Sequence, residues 1–280
     1  IHSLGFWVYL IFLIFIYAFT ASIFSLIKKR SFKVIGPFKI FAGAFILVCA
    51  FITLTDIACS PIFNSKSYSK RIDIITDNEF TDDIEEVDFS KLPLLDKDSS
   101  TKLGDRTVGR MPEMVSQYYV SDLYTQINYD GEIVRVTPLE YNGFFKWIKN
   151  RKKGITGYIK VNSVNGTSDL VKLPKGMKYT ESAYFNDYLP RLLRFKYPTL
   201  IFGTANFELD NDGNPYFIVP VFKYKAVGLK RDVKGVVIVN PVNGKTNYYK
   251  TKDVPSWVDH VYDAKLIIEQ VDDWGLYQKG

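Results

Sequence analysis

Between residues 5 and 27 the chain carries no charged side chain: GFWVYLIFLIFIYAFTASIFSLI. At 1.5 Å per residue, a helix of that length crosses a hydrocarbon core of about 30 Å. Nothing else in the sequence restricts folding as strongly, because a backbone in lipid must satisfy its own hydrogen bonds. A signal peptide has a different layout, with basic residues ahead of a shorter apolar stretch and a small-residue cleavage site. Here the run is long and the basic residues follow it. A second apolar run, residues 36–57, reads GPFKIFAGAFILVCAFITLTDI, with Lys39 near its start and Asp56 near its end, both placed to reach an interface. Two transmembrane helices are expected within residues 1–61.

The turn between the runs holds Lys28, Lys29, Arg30 and Lys33, with Lys39 following and no acid among them. The positive-inside rule places this turn in the cytoplasm and residues 62–280 outside. Lys66, Lys70 and Arg71 beyond the second run reduce the contrast. The net charge of +6 is therefore mostly a topology signal: residues 1–61 carry +4 of it and residues 62–280 only +2. A nucleic-acid partner, which calls for a basic face on a soluble domain, is not expected; the lipid bilayer is. Cys49 and Cys59 sit ten residues apart on or beside one helix, about 15 Å, too far for a disulfide with each other. They read as one lipid-facing or packed Cys and one free interfacial Cys, with pairing of Cys59 between molecules in an oxidising compartment as the sharper alternative. Two cysteines and two histidines do not supply a Cys/His zinc cluster of ordinary spacing, and no cofactor is expected.

Residues 73–98 contain ten acids and two lysines and read as a linker or solvated face. Residues 99–280 compensate with 26 Lys/Arg against 19 acids, which offers the acidic run a basic face to lie against. Beyond the linker the chain repeats. Residues 157–166 are GYIKVNSVNG and residues 235–244 are GVVIVNPVNG, identical at six of ten positions. Upstream of each lies an Asp-Gly pair, Asp130-Gly131 and Asp212-Gly213. Asn-Gly and Asp-Gly between alternating apolar residues predict hairpins with type I′ turns, which need positive φ at both central residues. The expected fold class is α+β, with two N-terminal transmembrane helices and then an extracytoplasmic domain of tandem hairpin-plus-helix units. The boundaries read 1–61 for the helical hairpin, 62–110 for the acidic linker and the LGDR segment, 111–175 for the first α+β unit and 176–280 for the second.

Three helices are expected between the hairpins. Thr137-Pro138-Leu139-Glu140 has the form of a capping box with Pro at N1, followed by Tyr141, Phe144, Phe145 and Ile148 on one face and Gly154 as the stop. A second spans residues 182–193, kinked or divided by Pro190. A third begins near Pro255, with Trp257, Val258, Val261 and Ile268 on one face. The chain begins with Ile and stops soon after this helix, so it reads as a piece of a longer protein.

Candidate chemistry is sparse. Residues 208–213, ELDNDG, resemble the opening of a calcium loop, but the position of the closing bidentate acid is Val219, so a structural turn is the better reading and no metal is expected. His260 is the only histidine outside the first two residues, and beside Asp259 on a helix it is poorly placed for a catalytic relay. No GxSxG, P-loop or GxGxxG occurs. Asp105 and Arg106, with Arg110, stand between glycines in LGDRTVGR, where they either fix a tight turn or present Arg106 to an anion; these three are the candidate binding residues. Tyr118, Tyr119, Tyr124, Tyr129, Tyr248 and Tyr249 read as strand or core residues.

VDFSKLP (87–93), LGDRTVG (103–109), VRVTPLEYNGFFKW (134–147) and VPSWVDHVYDA (254–264) resemble a set of large, uncharacterised bacterial membrane proteins, mostly of Gram-positive type, some labelled colicin V production protein-like. The repeat also resembles the PepSY type of small extracytoplasmic α+β module, with Asn in NSVNGT and NPVNGK where that turn has Asp. The resemblance covers residues 87–274. It implies a binding or protease-modulating unit, not an enzyme. The expectation is thus a membrane-anchored binding protein of the cell envelope with an envelope or membrane protein partner. The alternatives are a structural subunit of a multi-helix membrane complex, such as a transport or secretion accessory, and, disfavoured, an envelope hydrolase.

Overall fold

The computed structural model describes residues 3–29, 35–75, 88–225 and 229–278. The helices are α1 Leu4–Lys29, α2 Ile35–Ala58, α3 Pro61–Ser69, α4 Lys97–Gly109, α5 Pro112–Val115, α6 Phe144–Asn150, α7 Leu189–Lys196 and α8 Ala264–Tyr277. The strands are β1 Tyr118–Val120, β2 Thr125–Tyr129, β3 Glu132–Tyr141, β4 Ile155–Asn162, β5 Ser168–Met177, β6 Ile201–Phe202, β7 Asn206–Leu209, β8 Pro215–Lys223, β9 Asp232–Val239 and β10 Thr246–Lys250. The fold is α+β, with two apolar helices followed by a β-sheet domain. The chain forms two compact units that are not sequential: residues 1–74, 223–232 and 264–280 make one, residues 75–222 and 233–263 the other. Residues 176–280, expected as one unit, are shared between them. Arg30, Lys33 and residues 76–87, which hold part of the basic turn and of the acidic run, lie outside the described residues.

In the first unit α1 and α2 run antiparallel: Trp7 meets Phe51 at 5.1 Å between ring centroids, and Phe15 meets Phe41 at 5.6 Å. Both helices are long and apolar enough to cross a membrane. Among the described residues of α1, Ala18 and Ser22 are buried, four apart and small, the spacing that lets two backbones approach closely. α3 follows α2 after a turn fastened by Asn64 Nδ2 to Ala58 O (2.7 Å) and Tyr68 OH to Cys59 O (2.8 Å). α3 packs on α8, which arrives from the far end of the chain. Arg71 pairs with Asp273 and donates to Arg231 O at 2.6 Å. Lys230 donates to Ser67 Oγ (3.0 Å) and lies 4.4 Å from the centre of the Tyr68 ring.

The second unit holds two five-stranded antiparallel sheets with the same strand order. In the first, one edge of the long β3 is shared by β1 (Val120↔Leu139) and β2 (Thr125↔Val136), and the other takes β4 and then β5. In the second, β8 takes β6 (Phe202↔Val221) and β7 (Phe207↔Phe217) on one edge, and β9 and then β10 on the other. The two sheets share a core in which Phe207 touches both Tyr158 and Phe217. β9 is buried on both faces. Val237 and Val239 enter that core, whereas Val236 and Ile238 face a second cluster closed by Val258 and Trp257. Alternation with period two turns one run of valines into the contents of two cores, and each such side chain contributes about 1.5–3 kcal/mol.

The hairpin turns differ from expectation in type. Only Asp130-Gly131 has positive φ at both residues, 54° and 75°. In the Asn-Gly loops φ is positive at Gly166 (76°) and Gly244 (71°) but not at the preceding Asn. The controlling residue is the earlier Asn of each repeat. Asn162 Oδ1 accepts the N–H groups of Val164 and Asn165, and Asn240 Oδ1 those of Val242 and Asn243, while Gly166 and Gly244 donate to Asn162 O and Asn240 O at 3.0 and 2.9 Å. Five of the six identities in the repeat, the Val-Asn and Val-Asn-Gly positions, fall on this shared loop and its lead-in.

All three expected helices are displaced. The capping box at 137–140 lies inside β3, and α6 begins at Phe144 behind Gly143. Pro190 starts α7 instead of dividing it, with its missing N–H at a position that has no helical partner. Residues 255–263 form no helix, and α8 begins at Ala264. LGDR is no tight turn either. It lies within α4, whose Ser100, Gly104 and Val108 face inward at a spacing of four and whose N-cap Asp96 accepts from Ser99 N at 2.7 Å.

Candidate functional site

Two backbone segments of the second unit cross so closely that neither tolerates a side chain at the crossing. A Cβ on Gly154 would lie 2.7 Å from Met177 O, and one on Gly176 would lie 2.3 Å from Lys153 O. Gly154 also has φ of 78° and donates to Asn150 O at 2.8 Å, closing the turn that leads from α6 into β4. The pairing of β5 shifts here, Gly157↔Lys172 being followed by Ile155↔Met177, so β5 carries extra residues that bulge outward. Lys178 N and Tyr179 N then donate to Pro241 O at 2.7 and 2.9 Å, which adds the β9–β10 loop to the assembly.

The crossing gathers Lys152, Lys153, Lys172, Lys175 and Lys178 around a cleft of about 850 Å³. Its lining also includes the apolar Met111, Met114, Leu170 and Leu173, and its acidic residue is Glu113. None of the ion pairs among the described residues involves these five lysines. Lysines on an exposed edge strand such as β5 also keep it from pairing with a foreign strand. That role covers Lys172 and Lys175 but not the three lysines that come from outside the strand. An anion entering the cleft would meet several positive charges beside apolar side chains.

The candidate residues read from sequence lie elsewhere. Asp105 and Arg106 are exposed on α4, and Arg110 caps that helix one residue before Met111. Lys152, Lys153, Lys172, Lys175 and Lys178 went unread because no local spacing joins them.

The other polar feature is the Glu208 carboxylate, fully buried in β7. Its oxygens accept from Asp259 N (2.8 Å), His260 N (3.0 Å) and His260 Nδ1 (3.1 Å). Asp259 in turn accepts from Asn128 N at 2.9 Å. The hydrogen bond to Glu208 raises the His260 pKa from its ordinary value despite partial desolvation. The expected helix at His260 is absent; the residue lies in a segment without regular secondary structure that is pinned to β7. Glu208 is also lost to any calcium loop. Asp210 Oδ1 accepts from Asp212 N and Asn214 N, and its Oδ2 from Asn214 Nδ2, so this carboxylate staples its own hairpin. Among the described residues no cluster of His, Cys, Asp and Glu is arranged to hold a metal ion.

Compared with protein-family models, with curated proteins and with solved structures, the chain matches none.

Proposed function

We propose that the chain is a membrane-anchored, extracytoplasmic binding protein of the cell envelope, non-enzymatic, and that its lysine cleft takes an extended anionic ligand. The observation that carries this reading is the convergence of five lysines from two chain segments, 152–153 and 172–178, on one cleft that also has apolar side chains in its lining. The anchor is the α1–α2 pair, and the basic residues between the two helices put residues 62–280 outside the cell membrane. The common strand order and the matched Asn loops support tandem units, as in the PepSY type of module and the colicin V production-like membrane proteins that the sequence resembles. His260 supports binding over catalysis, because its ring serves to hold a loop on β7.

The test uses the full chain in zwitterionic nanodiscs and a short poly-L-glutamate peptide as probe. Binding should weaken with salt, and Lys172→Gln/Lys175→Gln/Lys178→Gln should reduce affinity about tenfold, at about 0.5 kcal/mol per exposed charge. Unchanged affinity in that variant rejects the cleft. The alternative, a structural subunit of a multi-helix membrane complex, draws on the broad apolar surface that α1 and α2 leave uncovered. A membrane partner retained after deletion of residues 62–280 would favour it.

A further inference from the structure

The ten residues that end at the cleft, FFKWIKNRKK (144–153), form a tip of a different character. Trp147 is buried and anchors it, with ring contacts to Phe144 (5.7 Å), Tyr184 (5.5 Å) and Phe185 (5.8 Å). Around this anchor large apolar side chains face outward: Phe145 is 82% exposed, Phe185 61% and Ile148 46%. Phe185 holds its place with a φ of 53°, a left-handed conformation that bulky residues rarely adopt. Interleaved with them are Lys146, Lys149, Arg151, Lys152 and Lys153. Arg151 lies 5.0 Å from the centre of the Trp147 ring, and none of the ion pairs among the described residues involves these five cations.

A monomer keeps exposed phenylalanines few unless they meet something. We infer that this tip docks on an anionic lipid bilayer surface, Phe145 and Phe185 entering the interface while the five cations meet headgroup phosphates. Three observations select that occupant. The apolar and cationic side chains alternate along one short helix and its exit, the composition of interfacial segments. Five positive charges match a surface of dense negative charge, and each gains energy only within a Debye length of it. The α1–α2 anchor, in the reading above on which this rests, tethers the domain to a membrane and raises the effective concentration of lipid at the tip.

The test again uses the full chain in zwitterionic nanodiscs, now mixed with vesicles of phosphatidylcholine alone or with phosphatidylglycerol added, and separated by flotation. Capture by the anionic vesicles alone is expected. Phe145→Ser, at the most exposed of these positions, should lower capture, and Phe145→Ser/Phe185→Ser should lower it at least about tenfold. Both variants should leave poly-L-glutamate binding unchanged, whereas Lys152→Gln/Lys153→Gln should weaken both activities. Equal capture of wild type and the Phe145→Ser variant, or no preference for anionic vesicles, overturns the inference. Failure of poly-L-glutamate to bind the wild-type protein rejects the cleft instead, whatever the vesicles show.

Discussion

Glu208→Gln removes one oxygen from a carboxylate that has no exposed surface and accepts three hydrogen bonds. Oε2 serves Asp259 N, and Oε1 serves both nitrogen donors of His260. The glutamine carbonyl can keep one of these sides; on the other, its NH₂ faces an N–H and neither can accept. Hydrogen bonds to a charged group contribute about 1.5–3 kcal/mol each, and a buried donor left unpaired costs about 1–3 kcal/mol. The variant should lose roughly 2–4 kcal/mol. At about 2–4 °C per kcal/mol for a domain of this size, the melting temperature should fall by roughly 5–15 °C. Thermal unfolding followed by tryptophan emission measures the loss, since Trp257 packs on Tyr216 beside the pinned segment. Hydrogen exchange should quicken at the amides of residues 259 and 260 before it does in β9. A fall of less than about 2 °C, with exchange at those two amides unaltered, refutes the claim that this carboxylate holds residues 254–261 on the sheet.

The same pair sets a pH dependence. Because the folded-state pKa of His260 is raised above 6.5 by its hydrogen bond to Glu208, its contribution is complete below that value and is lost as pH rises through the folded value; stability should decline as pH rises above 6.5, and a flat profile, or one unchanged by His260→Gln, contradicts this. A Cβ on Gly104 would lie 2.1 Å from the Tyr124 hydroxyl, a buried group with no hydrogen-bond partner among the described residues. Gly104→Ala should cost about 1–3 kcal/mol, and Tyr124→Phe should restore most of it in urea titrations. Neither calcium nor chelator should move the melting temperature, whereas a site held at 100 times its dissociation constant would add about 2.7 kcal/mol; a calcium-dependent rise abolished by Asp212→Ala counts against the stapled hairpin. Protease added to intact spheroplasts should digest residues 62–280, and digestion only in inverted vesicles reverses the proposed topology.

What could be read from sequence was what neighbouring residues decide among themselves. The uncharged runs need no partner to be recognised, and the Asn and Gly positions of the repeat act within six residues. The misread elements are those where a distant strand wins over a local signal. Thr137-Pro138-Leu139-Glu140 satisfies a capping box, yet it lies inside β3, where Val136, Thr137, Leu139 and Tyr141 are all buried in the sheet. Thr137 Oγ1 bonds Ser121 O at 2.8 Å, and Glu140 accepts from Tyr119 and Ser121 across the sheet. Trp257, Val258 and Val261 have helical spacing, but Glu208, about fifty residues earlier, captures the amides that a helix there would have used. The cleft was illegible for the same reason. Lys152 and Lys175 become neighbours only because two glycines let their backbones touch.

Arg71 finds its partners very late in the life of the chain. Its two hydrogen bonds reach residues 160 and 202 positions further on. At about 5–20 residues per second, synthesis leaves on the order of 10–40 s between Arg71 and Asp273. Until residue 230 is made α3 lacks Lys230 over its tyrosine, and until residue 264 it lacks α8 along its side, although α1 and α2 are complete. The unit whose first residues are made first is thus the last to close, and a ribosome paused anywhere between residues 232 and 264 would hold it open.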